Sequence, residues 1–252
     1  NKSKNKVSVI IDKEVDDEDV MRLGYGSILG SYTFNKYKTK NTTKNVLSLI
    51  EIISINSTKQ NKNFNRYSSI ADGVFYARDL VNEPSNVLYP KAYANRIQKL
   101  RQYGLKVEVL GETKMKALKM HSLVGVGQGS QRESQLVIMQ WNGNKARKSK
   151  PICFVGKGVC FDSGGISIKP SNKMEEMIGD MGGSAAVVGT MLSLAKRKAK
   201  VNAIGVVGLV ENMPDGKAQK PGDIIKSMSG QTIEIQNTDA EVRLVLADAL
   251  WY

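Results

Sequence analysis

The alternation of helix-like and strand-like segments is the feature that most constrains the fold of this chain. The predicted elements beyond residue 90 are helices over 90–103, 112–119 and 183–197 and strands over 106–110, 135–141, 152–155, 201–208 and 232–236. Such alternation favours an α/β fold, in which a sheet is covered by helices. Functional residues in these folds gather in the loops beyond the strand ends.

The amino-terminal part of the chain has a short succession of elements of its own. The predicted elements are a strand over 7–11, a helix from about 16 to 32, a strand-like run over 46–55 and a helix over 68–81. Acids at 16–19 favour the first turn of the first helix. The polar stretch 60–66 has no hydrophobic pattern and predicts a linker. We therefore expect two units that join near residue 60.

The net charge of the chain is +13, with a pI of about 9.6. Such a charge favours contact with polyanions, although it describes the surface rather than the fold. Much of the excess lies in the lysine tracts 36–40 and 145–150, which more often form solvated loops than binding grooves. Binding of nucleic acid is therefore an alternative and not the favoured interpretation.

The chain offers few soft metal ligands. Cys153 and Cys160 fit neither a disulfide framework nor a CxxC metal knuckle, which favours buried thiols in a reducing cytoplasm. His121 is the single histidine, so a histidine-rich zinc site and an HExxH motif are excluded. Any metal must be held by oxygen ligands, with at most an unusual nitrogen. No run approaches the roughly 18 apolar residues that span a bilayer, so we expect no membrane partner.

Two glycine clusters resemble nucleotide-binding loops, but each lacks residues that the corresponding motif requires. In 125–130 the last glycine of a GxGxxG motif is replaced by Ser130. At 156–158 the upstream glycine of a phosphate loop is Pro151, and its required Ser or Thr is Gly158. The glycines of the stretch 155–170 let the backbone approach a ligand closely.

The segment 237–244 carries the clearest chemical signal. Asp239, Glu241 and Arg243 occupy every second position there. In an extended backbone all three side chains would point the same way. Two carboxylates on one face repel each other unless a cation lies between them, and a divalent metal ion is the usual cation.

Further candidate ligands lie at glycine-rich exits from predicted strands. The stretch 155–170 contains Lys157, Asp162 and Lys169, and Asp180 lies just ahead of a predicted helix. Taken singly, Asp180 could cap the helix and Asp162 could belong to a turn. Four acids and two lysines at such positions together favour a metal site.

These motifs closely resemble those of the leucyl aminopeptidase family, the cytosol aminopeptidases or two-metal M17 peptidases. The matching segments are 31–39, 77–84, 105–110, 155–170, 180–183, 211–214, 221–223, 227–230 and 237–250. The resemblance implies an α/β fold with a mixed sheet flanked by helices, as in zinc-peptidase-like catalytic domains, preceded by the end of a smaller α/β amino-terminal domain. Residues 1–60 would end that smaller domain, and residues 61–252 would contain a linker helix and the first portion of the catalytic domain.

The resemblance also implies a set of metal ligands. Asp162 and Glu241 would bridge two divalent ions. Asp239 would complete one metal site, and Lys157 and Asp180 would complete the other. Because lysine binds a metal only as the neutral amine, Lys157 would have to lose its proton, which lysine permits and arginine does not. Oxygen-rich ligation suits Mn²⁺ or Zn²⁺, with Mg²⁺ as a further candidate.

The implied activity is that of a metal-dependent aminopeptidase, which hydrolyses the amino-terminal residue of peptides, leucine-like residues preferred, by a two-metal-activated water. Lys169 would polarise the scissile carbonyl, and Arg243 would hold a bicarbonate that helps to deprotonate the water. The resemblance implies a cytoplasmic homohexamer. A DNA-binding or catalytically silent homologue of the same family is the alternative.

Two departures from the family pattern bear on these expectations. The family has glycine at the position of Val242, inside its most diagnostic motif. The chain also stops soon after that motif, and its amino-terminal domain is short. We therefore expect a fragment of a longer enzyme. Val242 and the truncation are the two features that favour a silent homologue.

Overall fold

The computed structural model describes residues 6–12, 14–40, 49–144 and 150–252. Its amino-terminal unit consists of β1 (Lys6–Ile10), α1 (Asp17–Gly30) and β2 (Leu49–Ile53), and β1 pairs with β2 in parallel. The acids expected at the start of α1 stabilise it as predicted. The carboxylate of Asp16 accepts a hydrogen bond from the amide of Glu18, which caps the helix. Residues 46–48 of the second predicted strand lie outside the described residues.

The remaining elements form a longer α/β succession. In chain order they are α2 (Ser57–Val81), α3 (Pro90–Gln98), a 3₁₀ helix (Lys99–Tyr103), β3 (Lys106–Gly111), α4 (Glu112–Ala117), α5 (His121–Gly127), β4 (Gln135–Asn142), β5 (Ile152–Asp162), a second 3₁₀ helix (Met174–Gly179), α6 (Gly182–Lys196), β6 (Asn202–Asn212), β7 (Ile224–Lys226), β8 (Thr232–Glu234) and α7 (Val242–Trp251).

The central sheet has four strands in the order β3-β4-β6-β5. β4 runs antiparallel to β3 and β6, whereas β5 runs parallel to β6. The sheet is therefore mixed, and the predicted fold class is confirmed. Because β5 and β6 are parallel, they end at the same edge of the sheet, where Asp162 lies opposite Asn212.

The sheet is covered by helices on both faces. In β4, Leu136 and Ile138 belong to one hydrophobic core, and Val137 and Met139 belong to the other. This follows from the period-2 alternation of side chains along a strand, and a strand buried on both faces reads as one continuous apolar run. The core on the Val137 face includes residues of α2, α3 and α6. The core on the Leu136 face includes residues of α4, α5 and α7.

Two glycines set the close packing of α2 on α6. A Cβ atom added to Gly73 would collide with the carbonyl oxygen of Gly189, and one added to Gly189 would collide with that of Gly73. The two helices can therefore approach backbone to backbone only because neither position has a side chain. This contact fixes α6 against the rest of the domain and with it the residues that precede α6.

The linker predicted over 60–66 is wrong, because this stretch lies inside α2. The physical reason is tertiary: Gln60 is buried and donates a hydrogen bond to Asp17 at 2.9 Å. The sequence also gave no signal for α5, whose residues are mostly buried between the sheet and α7. The strand predicted over 152–155 continues to Asp162, since its glycines belong to the strand rather than to a loop.

The stretch Met174–Lys196 is long and apolar enough, by composition, to cross a membrane. It comprises the second 3₁₀ helix and α6, and half of its most apolar window is buried inside the structure. α6 packs against α2 and β5, so its apolar character is accounted for by the core of the domain.

Candidate metal centre

Lys157 lies in the middle of β5, and the glycine before it decides how closely α6 approaches. A Cβ on Gly156 would lie 2.7 Å from the Cα of Ser184 in the first turn of α6. That separation is shorter than van der Waals contact, so a side chain would push α6 away from the strand. With glycine there, Asp180, just ahead of α6, comes within reach of Lys157.

Lys157, Asp180 and Glu241 form one half of a polar cluster. Nζ of Lys157 is 2.6 Å from Oδ2 of Asp180 and 2.9 Å from Oε1 of Glu241. Burial raises the pKa of both carboxyl groups above their ordinary values, although hydrogen bonds from Lys157 oppose the shift. Oε2 of Glu241 is buried and has no hydrogen-bond partner among the described residues.

Lys169, Asp162 and Asp239 form the other half. Nζ of Lys169 is 3.1 Å from Oδ2 of Asp162 and forms an ion pair with Oδ1 of Asp239. Asp162 is buried, and its Oδ1 accepts hydrogen bonds from the amide of Gly164 at 2.9 Å and from the side chain of Asn212 at 2.8 Å. Both oxygens of Asp162 are therefore held in place.

Both lysines are charged in this arrangement. Burial lowers the pKa of Lys157, but hydrogen bonds to its two carboxylate partners outweigh burial and raise the pKa above its ordinary value. The same balance holds for Lys169, whose partners are Asp239 and Asp162. The two ammonium groups thus offset the carboxylates that crowd this edge of the sheet.

The donor set fits a divalent cation. Asp162, Asp239 and Glu241 each offer a carboxylate oxygen, and these atoms lie within 4.8 Å of one another. Oxygen donors of this kind suit Mn²⁺ and Mg²⁺ as well as Zn²⁺. The unpartnered Oε2 of Glu241 is a further sign of fit, because a buried carboxylate oxygen without a partner costs stability that a cation would recover.

Six of the seven predicted site residues meet in this cluster, and Arg243 does not join it. Arg243 is exposed and forms no ion pair or hydrogen bond with the described side chains. The extended backbone expected for 237–244 is wrong. Glu241 has φ −69° and ψ −25°, and α7 begins at Val242. A turn followed by a helix directs Asp239 and Glu241 to the cluster, and Arg243 lies on the first turn of α7.

The backbone at Val242 is unstrained. Val242 is the first residue of α7 and is 38% exposed. The described residues other than glycine that have positive φ are Lys119, Lys173 and Lys198. Val242 therefore needs no left-handed conformation, and a requirement for glycine on that ground is excluded.

Sequence reasoning missed the polar side chains that hold the acids. Asn212 ends β6 and donates to Asp162, and Thr238 lies beside Asp239 and hydrogen-bonds the loop after β5. The sequence did hold a signal, since Asn212 is an amide residue at the end of an apolar run that predicts a strand. The sequence alone does not say which distant carboxylate such an amide faces.

Fold and site together define a class of protein: an α/β domain with a mixed sheet and an acid-rich, metal-type centre at the carboxyl ends of two parallel strands. Residues 75–252 match the model of the cytosol aminopeptidase family, catalytic domain, also described as peptidase M17. The chain belongs to the cytosol aminopeptidase family.

Relatives agree with this assignment. A "Probable cytosol aminopeptidase" of Caulobacter vibrioides is 54% identical over all of this chain and 51% of its own length. One of Chelativorans sp. is 55% identical over all of this chain and 52% of its own length. The chain thus spans about half the length of the curated relatives it matches.

Among solved structures, one described as "Bottromycin maturation enzyme BotP in complex with Mn" superposes with a TM-score of 0.85. It is 32% identical, and the match covers 98% of this chain and 52% of that one.

Proposed function

We propose that this chain carries the metal centre of an aminopeptidase, which removes the amino-terminal residue, leucine-like residues preferred, from peptides. The observation that carries the proposal is the cluster of Asp162, Asp239 and Glu241, in which Asp162 and Glu241 are buried and Oε2 of Glu241 has no hydrogen-bond partner among the described residues. Membership of the cytosol aminopeptidase family supports the same activity.

Five side chains would hold two divalent ions. Asp162 and Glu241 would bridge both ions, Asp239 would complete one site, and Lys157 and Asp180 the other. When bound, such a pair of ions lowers the pKa of a water molecule and polarises a carbonyl. To serve as a ligand, Lys157 would have to release its Nζ proton to solvent, and a lysine amine can do so because its pKa responds strongly to nearby positive charge. Mn²⁺ is the first candidate, given the Mn²⁺ in the BotP structure.

Two cationic side chains would act on the substrate and the water. Lys169 would act in its charged form, and its Nζ lies beside Asp162 and Asp239 at the candidate centre. Its ammonium group is suited to donate a hydrogen bond to the oxygen of the scissile carbonyl as negative charge develops there. Arg243 would hold a bicarbonate ion that accepts a proton, since its exposed guanidinium is not engaged by the described side chains.

The test compares hydrolysis of leucine amide with hydrolysis of N-acetyl-leucine amide, before and after chelation and after Mn²⁺ or Zn²⁺ is added back. We expect metal-dependent cleavage of the free amine substrate and none of the blocked one. Asp239→Asn should abolish this activity, whereas Asp215→Asn, a change on an exposed loop, should keep it. Full turnover after exhaustive chelation would overturn metal dependence, and equal cleavage of the blocked substrate would overturn the exopeptidase assignment.

Family membership also supports a proposal for the assembly and the compartment. We propose a cytoplasmic homohexamer, in which residues 1–60 end an amino-terminal α/β domain and residues 61–252 form the linker helix and the first portion of the catalytic domain. Light scattering of the purified protein measures the subunit number, and a monomer at micromolar concentration contradicts the hexamer.

The net charge of +13 favours a second candidate function, the binding of DNA. Affinity for duplex DNA should then fall as salt rises, with a slope that corresponds to several phosphate contacts. Absence of such a slope, together with peptidase activity that DNA does not change, would remove this candidate.

A further inference from the structure

Two chain segments supply most of the acids of the candidate metal centre, and one threonine joins them. The loop after β5 follows Asp162, and the loop before α7 contains Asp239. The hydroxyl of Thr238 donates to the carbonyl oxygen of Gly164 at 2.6 Å and accepts from the amide of Ser167 at 2.8 Å. The amide of Thr238 donates to Oγ of Ser167 at 3.1 Å. Three hydrogen bonds thus link the two loops at one residue.

Asn212 ties both loops to the end of β6. Its side-chain amide donates to Oδ1 of Asp162 at 2.8 Å and to the carbonyl oxygen of Thr238 at 3.0 Å. An amide group has two hydrogens, so its donor capacity is fully used. The backbone carbonyl of Asn212 also accepts from the amide and hydroxyl of Ser163 at 3.0 and 2.8 Å. One residue therefore fixes a candidate ligand and the residue next to another.

The loop after β5 is shaped to leave room for this contact. Gly164 and Gly165 have φ of 89° and 68°, in the left-handed region that favours glycine. A Cβ on Gly165 would lie 2.6 Å from Oδ1 of Asn212 and 3.1 Å from the hydroxyl of Thr238. Asn212 and Thr238 are each 4% exposed, so water does not compete for their hydrogen bonds.

We propose that Asn212 and Thr238 are positioning residues, which set the separation of Asp162 and Asp239 so that both acids face the same cation. The inference rests on the proposed function. Asn212 acts by occupying Oδ1 of Asp162 with a donor, which leaves Oδ2 to face the centre. An amide is needed there, because an aspartate offers no hydrogen to Oδ1 and would add a repelling charge.

The first test is the affinity of the purified protein for Mn²⁺, measured by calorimetry, in the wild type and in Asn212→Asp. We expect affinity to fall by about 10- to 100-fold, the usual effect of losing a partner of a metal ligand. Ser227→Ala is the matched control. Ser227 is also a buried polar residue, but its hydroxyl bonds to Gln231 and Ser229 in the turn between β7 and β8. Wild-type Mn²⁺ affinity in Asn212→Asp would overturn the proposal.

A second pair of variants keeps the test decisive if Asn212→Asp fails to fold. Thr238→Val keeps the volume but removes the hydroxyl, whereas Thr238→Ser keeps the hydroxyl. We expect a loss of Mn²⁺ affinity in Thr238→Val and rescue in Thr238→Ser, measured at a temperature at which thermal melts show both metal-free proteins to be folded. Equal affinity in the two variants contradicts the inference while the proposed function stands. A wild-type protein that binds no divalent metal overturns both.

Discussion

Glu83 and Glu241 are buried to nearly the same degree, at 2% and 1% exposure, yet their charges are balanced differently. Glu83 lies at the turn between α2 and α3, where Lys36, Tyr37 and Arg96 all donate hydrogen bonds to it. Burial raises the pKa of Glu83, but these three donors outweigh burial and lower the pKa below its ordinary value.

Glu241 has fewer partners. Lys157 pairs with its Oε1 at 2.9 Å, and its Oε2 has no hydrogen-bond partner among the described residues. Burial therefore prevails and raises the pKa of Glu241. Burial of an acid therefore does not by itself indicate function. A carboxylate with a full set of donors stabilises the fold, and one with too few is suited to receive a cation.

The largest difference between the two acids is expected when each glutamate is replaced by glutamine, which removes the charge and keeps the shape. Glu241→Gln should reduce Mn²⁺ affinity and hydrolysis of leucine amide by more than about 100-fold, because changes to mere partners of ligands already cost about 10- to 100-fold. Glu83→Gln should leave both quantities within about twofold of the wild type. Calorimetry and steady-state rates measure the two effects, and equal losses in the two variants would end the distinction between the two acids.

The second difference is expected when the cationic partner of each glutamate is exchanged between lysine and arginine. Lys157→Arg should weaken Mn²⁺ binding by more than about tenfold, since a guanidinium stays protonated and cannot become a ligand. Arg96→Lys, the reverse exchange beside Glu83, should leave Mn²⁺ affinity unchanged because Glu83 needs only a positive charge. Two tightly bound ions in Lys157→Arg, counted by elemental analysis, would exclude Lys157 as a ligand.

The free energy of unfolding should show the reverse order, with a larger loss in Glu83→Gln than in Glu241→Gln. Glu83→Gln should lower the free energy of unfolding by about 2 kcal/mol, since charged donors lose their acceptor. A group with a lowered pKa contributes stability above its ordinary pKa, about 4.3 for Glu, and loses it as pH falls through the lowered pKa. The difference in Tm from the wild type should therefore be largest at neutral pH and narrow in acid. A Tm difference that does not change with pH contradicts this account of Glu83.

A smaller effect is expected for Glu241→Gln in the metal-free protein. A raised pKa means that the stability contribution is complete below the ordinary pKa of Glu and is lost as pH rises through the raised value. Metal-free Glu241→Gln should therefore melt at or above the wild-type Tm at pH 7, with the two converging below about pH 4. Thermal melts in chelator measure this, and a lower Tm for the variant at pH 7 would show that Lys157 already satisfies Glu241.

The smallest effect concerns Val242, the neighbour of Glu241. Its backbone is helical, so Val242→Gly relieves no strain. Its methyl groups could still crowd an anion beside Arg243, and we therefore expect an increase in turnover of at most a fewfold, with unchanged Mn²⁺ binding. Rates at saturating Mn²⁺ and bicarbonate measure the change. Equal turnover in both proteins would mean that valine is a tolerated variation and would remove the case for a silent homologue.

Local features of this protein could be predicted from the sequence alone. Runs of apolar residues predicted the strands of the sheet, and acids at 16–19 predicted the start of α1. The acids and lysines at strand exits, Asp162 and Lys169 among them, were singled out as candidates, and the fold brings them into one polar cluster. These predictions hold because they depend on neighbouring residues: the spacing of apolar side chains and the charge near a helix end are properties of a short segment.

The contacts that stabilise those features join residues far apart in the chain, and they could be seen only in the folded structure. The helix over 60–66 packs against α1, and Gln60 donates a hydrogen bond to Asp17 there. The helix that begins after Glu241 packs against α5 and the sheet. The donors of Glu83 and the contact of Asn212 with Asp162 join residues far apart in the chain. The pKa of a buried carboxyl group is raised by burial and lowered by hydrogen-bond donors. Because those donors come from distant parts of the chain, only the folded structure shows whether a carboxylate has enough of them.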